Sequence, residues 1–240
     1  MDFFEIYKEN KKIGQTQYRN YFQALQYNHL FNLLNKYKNN SGNNLLDWGG
    51  AQGHSSIMSK MLGYTSRIFS LLEYPDKWNV LKSYGIEVDF DPNAVKSLPY
   101  KDNEFSHVLS CGVLEHVRET GGTEEASINE LTRILQPKGI LIVYHLPNTY
   151  SWIEFISRNF RKTYSHPFRY TKKDVMQMKN FSLKKSEILE TGLYNLIPRR
   201  IFYKLKGKKF GIFLHKIDEL LCLTPLKYLA QCRYFILRVE

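Results

Sequence analysis

Five short apolar runs in the first 150 residues are each followed by a stretch that has the spacing of a helix. Continuous apolar strands, as opposed to alternating ones, are typical of a parallel sheet that helices bury on both faces. Right-handed crossovers between such strands give a doubly wound sheet. The pattern therefore predicts an α/β fold, with strands over 45–48, 67–72, 86–90, 105–111 and 140–144.

The two ends of the chain complete this arrangement. Two final strands, over 182–190 and 233–239, are expected to form an antiparallel pair, which brings the sheet to seven strands. Residues 14–38 carry apolar side chains at helical spacing, so we expect one helix or two short ones there. The segment 191–231, between the final strands, is expected to be a helical insertion.

Composition limits the class of protein. The chain has 240 residues, of which 43% are hydrophobic, so it can bury the core of one soluble domain. Its three cysteines, Cys111, Cys222 and Cys232, form no CxxC pair, so we expect neither a disulfide framework nor a metal site. The first residues have no basic start followed by an apolar run, and no apolar stretch reaches membrane-spanning length. We therefore expect a cytoplasmic location.

The positive charge of the chain lies in its last 90 residues. Residues 151–240 contain 19 Lys and Arg against 7 Asp and Glu, a net charge of +12, whereas residues 1–150 have a net charge of −1. A basic surface of this kind suits nucleic acid, an anionic membrane or an acidic substrate, and it can also be a solvated face without a partner.

A glycine-rich segment, Asp47-Trp48-Gly49-Gly50-Ala51-Gln52-Gly53, stands between the first predicted strand and a helix. Glycines let the backbone turn sharply and approach a ligand closely. The free N–H groups of the following helix attract an anionic group such as a carboxylate.

This segment fits the dinucleotide pattern G-x-G-x-x-G poorly, because Ala51 and His54 stand where that pattern has glycines. It resembles D-x-G-x-G-x-G, the first motif of class I methyltransferases that use S-adenosylmethionine, with Ala51 in place of the middle glycine. Glu73 follows the second predicted strand, where a carboxylate can accept both ribose hydroxyls of a nucleoside.

Two later segments carry a more specific resemblance. The run from Leu98 to Val117 is similar to "LPF-x-D-N-x-F-D-x-V-x-S-x-x-V-L-E-H-V" of the small-molecule, ubiquinone-biosynthesis-like methyltransferases, with Ser106 in place of an aspartate. The run from Arg133 to Val143 resembles the "R-V-L-K-P-G-G" turn of the same family, with Lys138 in place of a glycine. The matches occur in order between residues 45 and 147.

The resemblance implies a Rossmann-like, doubly wound seven-stranded sheet, mostly parallel with an antiparallel last strand and helices on both faces. It also implies an enzyme whose cofactor is S-adenosylmethionine. Asp47 and the loop residues Gly49, Gly50, Ala51 and Gly53 would bind the amino-acid end of the cofactor, and Glu73 would bind its ribose. The backbone of Cys111 would lie beside the methionine portion. On the adenine side the family position falls at Asn93 or Ala94, with Asp91, which we favour, close by.

On this basis residues 1–240 are interpreted as one methyltransferase domain. Residues 1–44 are its N-terminal helical segment, 45–150 the cofactor-binding half, and 151–240 a basic half on the substrate side.

Three histidines are candidates for the base that removes a proton from a hydroxyl acceptor, because the histidine pKa lies near neutrality. His116 and His145 follow the fourth and fifth predicted strands, and His166 lies in the later half. A structural role remains the alternative for each, and for His116 it is helix capping or packing.

The stretches His145–Glu154 and His166–Thr171 resemble "H-L-P-N-x-x-S-W-x-E" and "H-P-x-R-Y-T" of methyltransferases that act in bacterial surface-glycan assembly. This resemblance implies O-methylation of a sugar or a lipid-linked acceptor in glycan or cell-envelope biosynthesis. Phosphates on such an acceptor would suit six basic residues: Arg158, Arg161, Lys162, Arg169, Arg199 and Arg200.

An amphipathic segment near 210–223 follows the basic loop Lys204–Lys209. Its apolar face either packs on the sheet, which is the simpler interpretation, or rests on an anionic membrane at the inner face. Two other functions stay open: an RNA or DNA methyltransferase that uses the basic half for phosphates, and a binding subunit without turnover, as the changes at Ala51, Ser106 and Lys138 would allow.

Overall fold

The fold is given by a computed structural model that describes residues 1–38, 42–94, 97–161, 165–199 and 208–240. Within these ranges seven strands form one sheet: β1 Asn44–Trp48, β2 Thr65–Ser70, β3 Glu87–Phe90, β4 Phe105–Cys111, β5 Leu135–Pro147, β6 Ser186–Tyr194 and β7 Cys232–Val239. Their spatial order is β3-β2-β1-β4-β5-β7-β6. The first five strands pair in parallel, and β7 runs antiparallel between β5 and β6. The predicted Rossmann-like sheet is confirmed.

Nine α-helices of the described residues surround the sheet: α1 Phe3–Lys12, α2 Tyr21–Ala24, α3 Asn28–Lys36, α4 His54–Met61, α5 Pro75–Ser83, α6 Glu124–Arg133, α7 Trp152–Ile156, α8 Lys172–Met178 and α9 Lys208–Cys222. Local sequence explains several starts. α5 has proline in its first turn, where no N–H is needed. Thr171 and Asp174 form a reciprocal capping box at α8. None of these helices is long and apolar enough to span a membrane.

The sheet is buried from both sides, as its continuous apolar strands predict. Alternate residues of β5 enter different clusters: Ile140, Ile142 and Tyr144 join the one under the N-terminal helices, and Leu141 and Val143 join the one under α6. Burying each aliphatic side chain contributes about 1.5–3 kcal/mol. The two clusters pack against the central strands from both faces of the sheet. Because these strands are parallel, their carboxyl ends form one edge of the sheet.

The N-terminal segment is helical, as expected for residues 1–44. Of the two forms predicted for 14–38, the structure has two short helices, α2 and α3, divided by a 3₁₀ turn, Leu25–Tyr27, and α1 precedes them. The Asn20 side chain accepts a hydrogen bond from the Gln23 amide, which starts α2 and ends the preceding turn. The segment packs over β4 and β5, and it brings Tyr18 and Tyr27 into the core.

Four further predictions need correction, and three of them concern strand boundaries. β2 ends at Ser70, not at Leu72, because the Ser70 hydroxyl bonds both the N–H and the carbonyl of Leu72 and turns the chain. β5 begins at Leu135, before the expected turn. β6 continues to Tyr194, so the helical insertion starts later than residue 191.

The fourth correction concerns the amphipathic segment. It is α9, whose fully buried residues are Gly211, His215 and Asp218, so its predicted apolar face is only partly buried and leaves Phe210, Phe213 and Leu220 exposed. Residues 204–207 of the basic loop, together with Arg200 and Lys162, lie outside the described residues.

Candidate active site

The loop after β1 begins at a buried carboxylate. Asp47 is 1% exposed, and its Oδ2 accepts hydrogen bonds from the hydroxyls of Ser55 and Ser56 at 2.6 and 2.5 Å. Its Oδ1 is buried and has no hydrogen-bond partner among the described residues. Burial raises the pKa of Asp47 to about 6, against the opposing effect of the two serine hydrogen bonds. An amino group placed on Oδ1 would satisfy this oxygen and favour its charge.

Two glycines of this loop have no substitute. Gly49 and Gly53 have φ values of +71° and +82°, a region that favours glycine. A Cβ would lie 2.6 Å from Val113 at Gly49 and 2.5 Å from Leu81 at Gly53. Ala51 takes a positive φ of 43°, so the residue that replaces the family's middle glycine keeps a glycine-like backbone. The loop thus turns tightly and presents backbone groups to a ligand.

Glu73 and Asp91 come after neighbouring strands, β2 and β3, whose ends share one edge of the sheet. Glu73 is exposed and lies three residues beyond the end of β2. Asp91 follows β3 directly, and its Oδ1 accepts a hydrogen bond from the Asn93 amide at 2.9 Å. Glu73 and Asp91 therefore follow the carboxyl ends of β2 and β3, at the same edge of the sheet as the glycine loop after β1.

A cavity of about 430 Å³ opens beside this loop, at the ends of β4 and β5. It brings together Cys111 and all three candidate histidines, His116, His145 and His166. The N-terminal segment supplies part of its wall through Gln17, Gln23, Gln26 and Tyr27. Sequence reasoning missed this wall, since the apolar spacing of residues 14–38 indicated only a helix. A larger cavity, of about 580 Å³, lies elsewhere, lined by α6 and α8, and contains none of the candidate catalytic or cofactor-binding residues.

His145 lies at an irregularity of β5, where the register with β7 shifts between Val143 and Leu146. Its φ of 73° is unusual for a residue with a Cβ and marks local strain. Its Nδ1 lies 2.8 Å from the Tyr194 hydroxyl, and its ring meets Tyr27 edge-on at 5.1 Å. Burial lowers its pKa to about 3, helped by the nearby His54 and His166. His145 is consequently a weak base.

His166 forms a dyad with Glu154. Its Nδ1 lies 3.1 Å from Glu154 Oε1, and its backbone N–H donates to Oε2 at 3.1 Å. Gln231 also donates to Glu154, at 3.2 Å. Burial alone would raise the pKa of Glu154, but these hydrogen bonds and the nearby imidazole lower it on balance. Glu154 therefore stays ionised and orients the imidazole with Nδ1 as the donor.

The dyad joins the two stretches on which the glycan-type resemblance rests. The backbone of Tyr170 pairs with that of Pro147 and Thr149, at 2.8 and 3.2 Å. Asn148 is fully buried, and its amide donates to the carbonyls of Tyr228 and Ala230 at 2.8 Å. These contacts give the asparagine of the first stretch a structural role and hold the second stretch against the end of β5.

His116 lies on the cavity rim next to a buried acid, Glu115. The His116 Nδ1 is 3.0 Å from Glu119 Oε1, and its ring centroid is 5.7 Å from that of His166. Glu115 is 3% exposed, and burial raises its pKa to about 8. Glu115, His116 and His166 each offer one possible ligand atom, and these three atoms lie within 4.8 Å of one another. The three side chains could therefore hold a divalent cation.

Arg199 is the buried cation of the cavity. It is 4% exposed, and its Nη2 pairs with Asp218 Oδ2 at 2.8 Å. Its Nε donates to Asn195 Oδ1 at 3.2 Å, but Nη1 is buried and has no partner within the described residues. Of the six predicted phosphate-binding residues, Arg199 lines this cavity, whereas Arg169 lines the larger one.

Comparison with known proteins agrees with this arrangement. Residues 71–143 match a family described as a methyltransferase domain. The uncharacterized protein MJ0638 of Methanocaldococcus jannaschii is 31% identical over 124 residues, which are 52% of this chain and 50% of the relative. The chain thus spans about half the length of the curated relative that it matches.

Two solved structures share the fold. An S-adenosylmethionine-dependent methyltransferase from Methanosarcina mazei superposes with a TM-score of 0.58 at 14% identity, covering 86% of this chain and 96% of the other. A 1,6-didemethyltoxoflavin-N1-methyltransferase from Burkholderia thailandensis, solved with its acceptor and S-adenosylhomocysteine, gives 0.52 at 14% identity, covering 99% and 85%. At this identity the likeness concerns the fold.

Proposed function

We propose that the chain is a class I S-adenosylmethionine-dependent methyltransferase and that it methylates a hydroxyl group of a small acceptor that carries an anionic group. The match of residues 71–143 to a methyltransferase domain and the fold shared with an S-adenosylmethionine-dependent methyltransferase support the first part of the proposal. We favour a sugar or lipid-linked intermediate of glycan or cell-envelope biosynthesis, methylated in the cytoplasm. The observation that carries the proposal is the cavity at the ends of β4 and β5, where a histidine–carboxylate dyad and a buried arginine stand beside Cys111.

The residues after β1 to β4 fit the cofactor. The unpaired Oδ1 of Asp47 would accept a hydrogen bond from its ammonium group, and the glycine loop would approach its carboxylate closely. Glu73 would bind the ribose hydroxyls, Asp91 lies on the adenine side, and the backbone of Cys111 would lie beside the methionine portion. Bound S-adenosylmethionine supplies a methyl group on a sulfonium, which is already activated toward nucleophiles. The protein then has to align and deprotonate the acceptor, and alignment alone can contribute several kcal/mol.

His166 is the histidine best suited to accept the acceptor's proton. With Nδ1 held on Glu154, the proton would be taken up at Nε2, and the ionised Glu154 would stabilise the imidazolium that forms. His145 is too weak a base for this step, since its pKa is near 3, and we assign it to the cavity wall. His116 stands next to His166 on the rim and would orient the acceptor.

Arg199 supports the anionic character of the acceptor. A buried guanidinium with an unpaired nitrogen loses hydration that a carboxylate or phosphate oxygen can replace. The carboxylate of Asp218 neutralises the charge of Arg199. The Arg199 Nη1, which has no partner among the described residues, would therefore donate a hydrogen bond with little excess positive charge. The glutamines of the N-terminal wall are suitable donors and acceptors for the remaining hydroxyl groups of a sugar.

The first test is calorimetric titration of S-adenosylmethionine into the purified protein. We expect micromolar binding that weakens about tenfold in Glu73→Ala, through loss of the ribose hydrogen bonds. Glu125→Ala is the matched control, since it removes an exposed glutamate in the first turn of α6. No binding by a folded wild-type protein would refute the enzyme proposal.

The second stage is an acceptor screen with sugar nucleotides, sugar phosphates and lipid-linked glycans. His166→Asn should lower kcat by about 10²–10⁴-fold and leave KM nearly unchanged, because general-base catalysis contributes on that scale. Salt-sensitive methylation of RNA alone would favour the nucleic-acid alternative. Cofactor binding without turnover on any acceptor would favour a binding subunit.

A further inference from the structure

α9 is amphipathic, but small and polar residues lie on its buried side and large apolar residues lie on its exposed side. Its buried residues are Gly211, His215 and Asp218, whereas Phe210, Phe213 and Leu220 are exposed. At about 100° per residue, the three exposed side chains fall within an arc of about 80° that lies roughly opposite the buried ones. Leu214, Ile217 and Leu221, which lie in or beside this arc, are half-buried, so the apolar side of the helix is partly covered and its Phe210–Phe213–Leu220 edge faces outward.

The exposed apolar surface continues beyond the helix, through the 3₁₀ segment Pro225–Leu229. We call its six side chains the apolar ridge: Phe210, Phe213, Leu220, Leu223, Leu226 and Leu229. Each of them is between 42% and 80% exposed. Soluble monomers rarely leave so many large apolar side chains exposed along one short segment, and such patches mark contact sites for a protein or a membrane.

The orientation of α9 is set by polar contacts on its inner side. Asp218 pairs with Arg199 at 2.8 Å, and the His215 Nε2 lies 3.4 Å from the Asn28 amide. Gly211 lies against Phe22, and a Cβ added at Gly211 would come within 3.2 Å of the Cβ and the backbone N of Phe22. Turning the helix to bury its apolar side would leave the Arg199 charge unpaired in the interior, which is strongly unfavourable. The ridge is therefore held outward by the fold.

Charge indicates which partner the ridge fits. Lys209 and Lys216 are exposed and border the apolar arc along one edge, and Lys227 lies between the apolar residues of the 3₁₀ segment. This part of the chain belongs to the basic half, with its net charge of +12 over residues 151–240. A second copy of the chain would bring like charges together at a two-fold interface, whereas an anionic lipid surface attracts them.

We propose that α9 and the following 3₁₀ segment dock the protein on an anionic phospholipid membrane. The apolar ridge enters the boundary between headgroups and acyl chains, and Lys209, Lys216 and Lys227 lie among the anionic headgroups. Tyr228, which is 55% exposed, is suited to the headgroup level, where amphipathic rings concentrate. Docking itself does not depend on the proposed methyl transfer.

Flotation with lipid vesicles tests the proposal directly. The probes are vesicles of phosphatidylcholine alone and of phosphatidylcholine with phosphatidylglycerol. We expect binding to the anionic vesicles that is at least about tenfold stronger than to the neutral ones and that weakens with added salt. Phe213→Ser/Leu220→Ser should lower the binding to anionic vesicles about tenfold or more, because it removes two inserted side chains.

The control is Leu183→Ser, which removes a side chain that is 88% exposed but lies outside the ridge; its binding should equal that of the wild type. Unchanged calorimetric binding of S-adenosylmethionine by the double variant shows that it is folded and separates failure of docking from failure of the proposed function. The proposal is overturned if the wild type ignores anionic vesicles, or if the double variant binds them as well as the wild type. Self-association that the double variant abolishes, without vesicle binding, would assign the ridge to a dimer.

Discussion

Asp47 and Arg199 share a property at the residue scale: each is buried and charged, and each has one polar atom without a partner among the described residues. Leaving such an atom unsatisfied costs about 1–3 kcal/mol. Folded proteins keep this cost mainly where a ligand or water completes the hydrogen bonds. The two atoms mark the ends of the candidate site, one toward the cofactor and one toward the acceptor.

Asp47 predicts how cofactor binding depends on pH. Its pKa is raised to about 6, so in the free protein it becomes protonated as the pH falls below that value. An ammonium group on Oδ1 favours the ionised form, so binding must first release the proton. Affinity for S-adenosylmethionine should therefore fall by up to about tenfold per pH unit below pH 6 and be constant above about pH 7.

Calorimetry at several pH values checks this, with Asp47→Asn as the comparison. The variant should bind more weakly at neutral pH and show no such decline below pH 6, because it has no carboxylate to protonate. Equal affinity of the wild type on both sides of pH 6 would contradict the role of Asp47.

At the element scale, α9 illustrates how one ion pair can override hydrophobic patterning. Its apolar residues would gain free energy by packing on the sheet, yet the side that packs carries Gly211, His215 and Asp218. The small Gly211 permits close approach to Phe22, and the Arg199–Asp218 pair requires Asp218 to face inward. A buried pair strongly penalises any arrangement that separates it.

The pair gives a stability prediction. Asp218→Ala should lower the free energy of unfolding by about 3–5 kcal/mol, because it leaves the Arg199 charge buried and uncompensated. Arg199→Met/Asp218→Leu should cost much less than the sum of Arg199→Met alone and Asp218→Leu alone, since apolar side chains of similar volume can replace the pair. Urea unfolding of the wild type, both single variants and the double variant measures the coupling. Additive losses would show that the pair does not hold α9 in place.

At the scale of the whole molecule, the N-terminal segment connects the two halves of the site. The Gln15 side chain donates a hydrogen bond to the carbonyl of Gln52 in the glycine loop at 2.5 Å. The ring of Tyr27 stacks on that of Tyr18 and meets the rings of His54 and His145 edge-on. Cofactor bound at the loop would therefore also stabilise the cavity wall that the N-terminal segment supplies.

Hydrogen exchange tests this connection. S-adenosylmethionine should slow amide exchange in residues 15–28 as well as in the loop 49–55, because ordering of the loop carries over to the residues packed on it. α8 provides the internal comparison and should exchange at an unchanged rate, because its buried Val175 and Met178 belong to the cluster on the other face of the sheet. Protection restricted to 49–55 would mean that the segment is independent of cofactor binding.

Much of the cofactor half could be predicted because its signals are local. Strand β4 has the predicted bounds, since an apolar run acts within a few residues. The glycine loop was recognisable for the same reason, because positive φ values favour glycine wherever they occur. β2 was predicted two residues too long at its end, because the Ser70 side chain ends the strand and the apolar pattern does not reflect that.

The substrate side was less predictable, because its residues meet across long distances in the chain. Three histidines were candidates, and their residue type could not rank them. Only the tertiary structure separates His166, oriented by Glu154, from His145, whose burial lowers its pKa to about 3. The same holds for Arg199, one of six predicted basic residues, which differs from the others through its contact with Asp218.

The sequence by itself determined the α/β class, the doubly wound, mostly parallel sheet and the loop after β1, because hydrophobic periodicity and glycine conformation are properties of neighbouring residues. The tertiary structure decided which side chains share the cavity and which side of α9 faces outward. Burial, desolvation and ion pairing depend on groups that are far apart in the chain, and only the folded molecule brings them together.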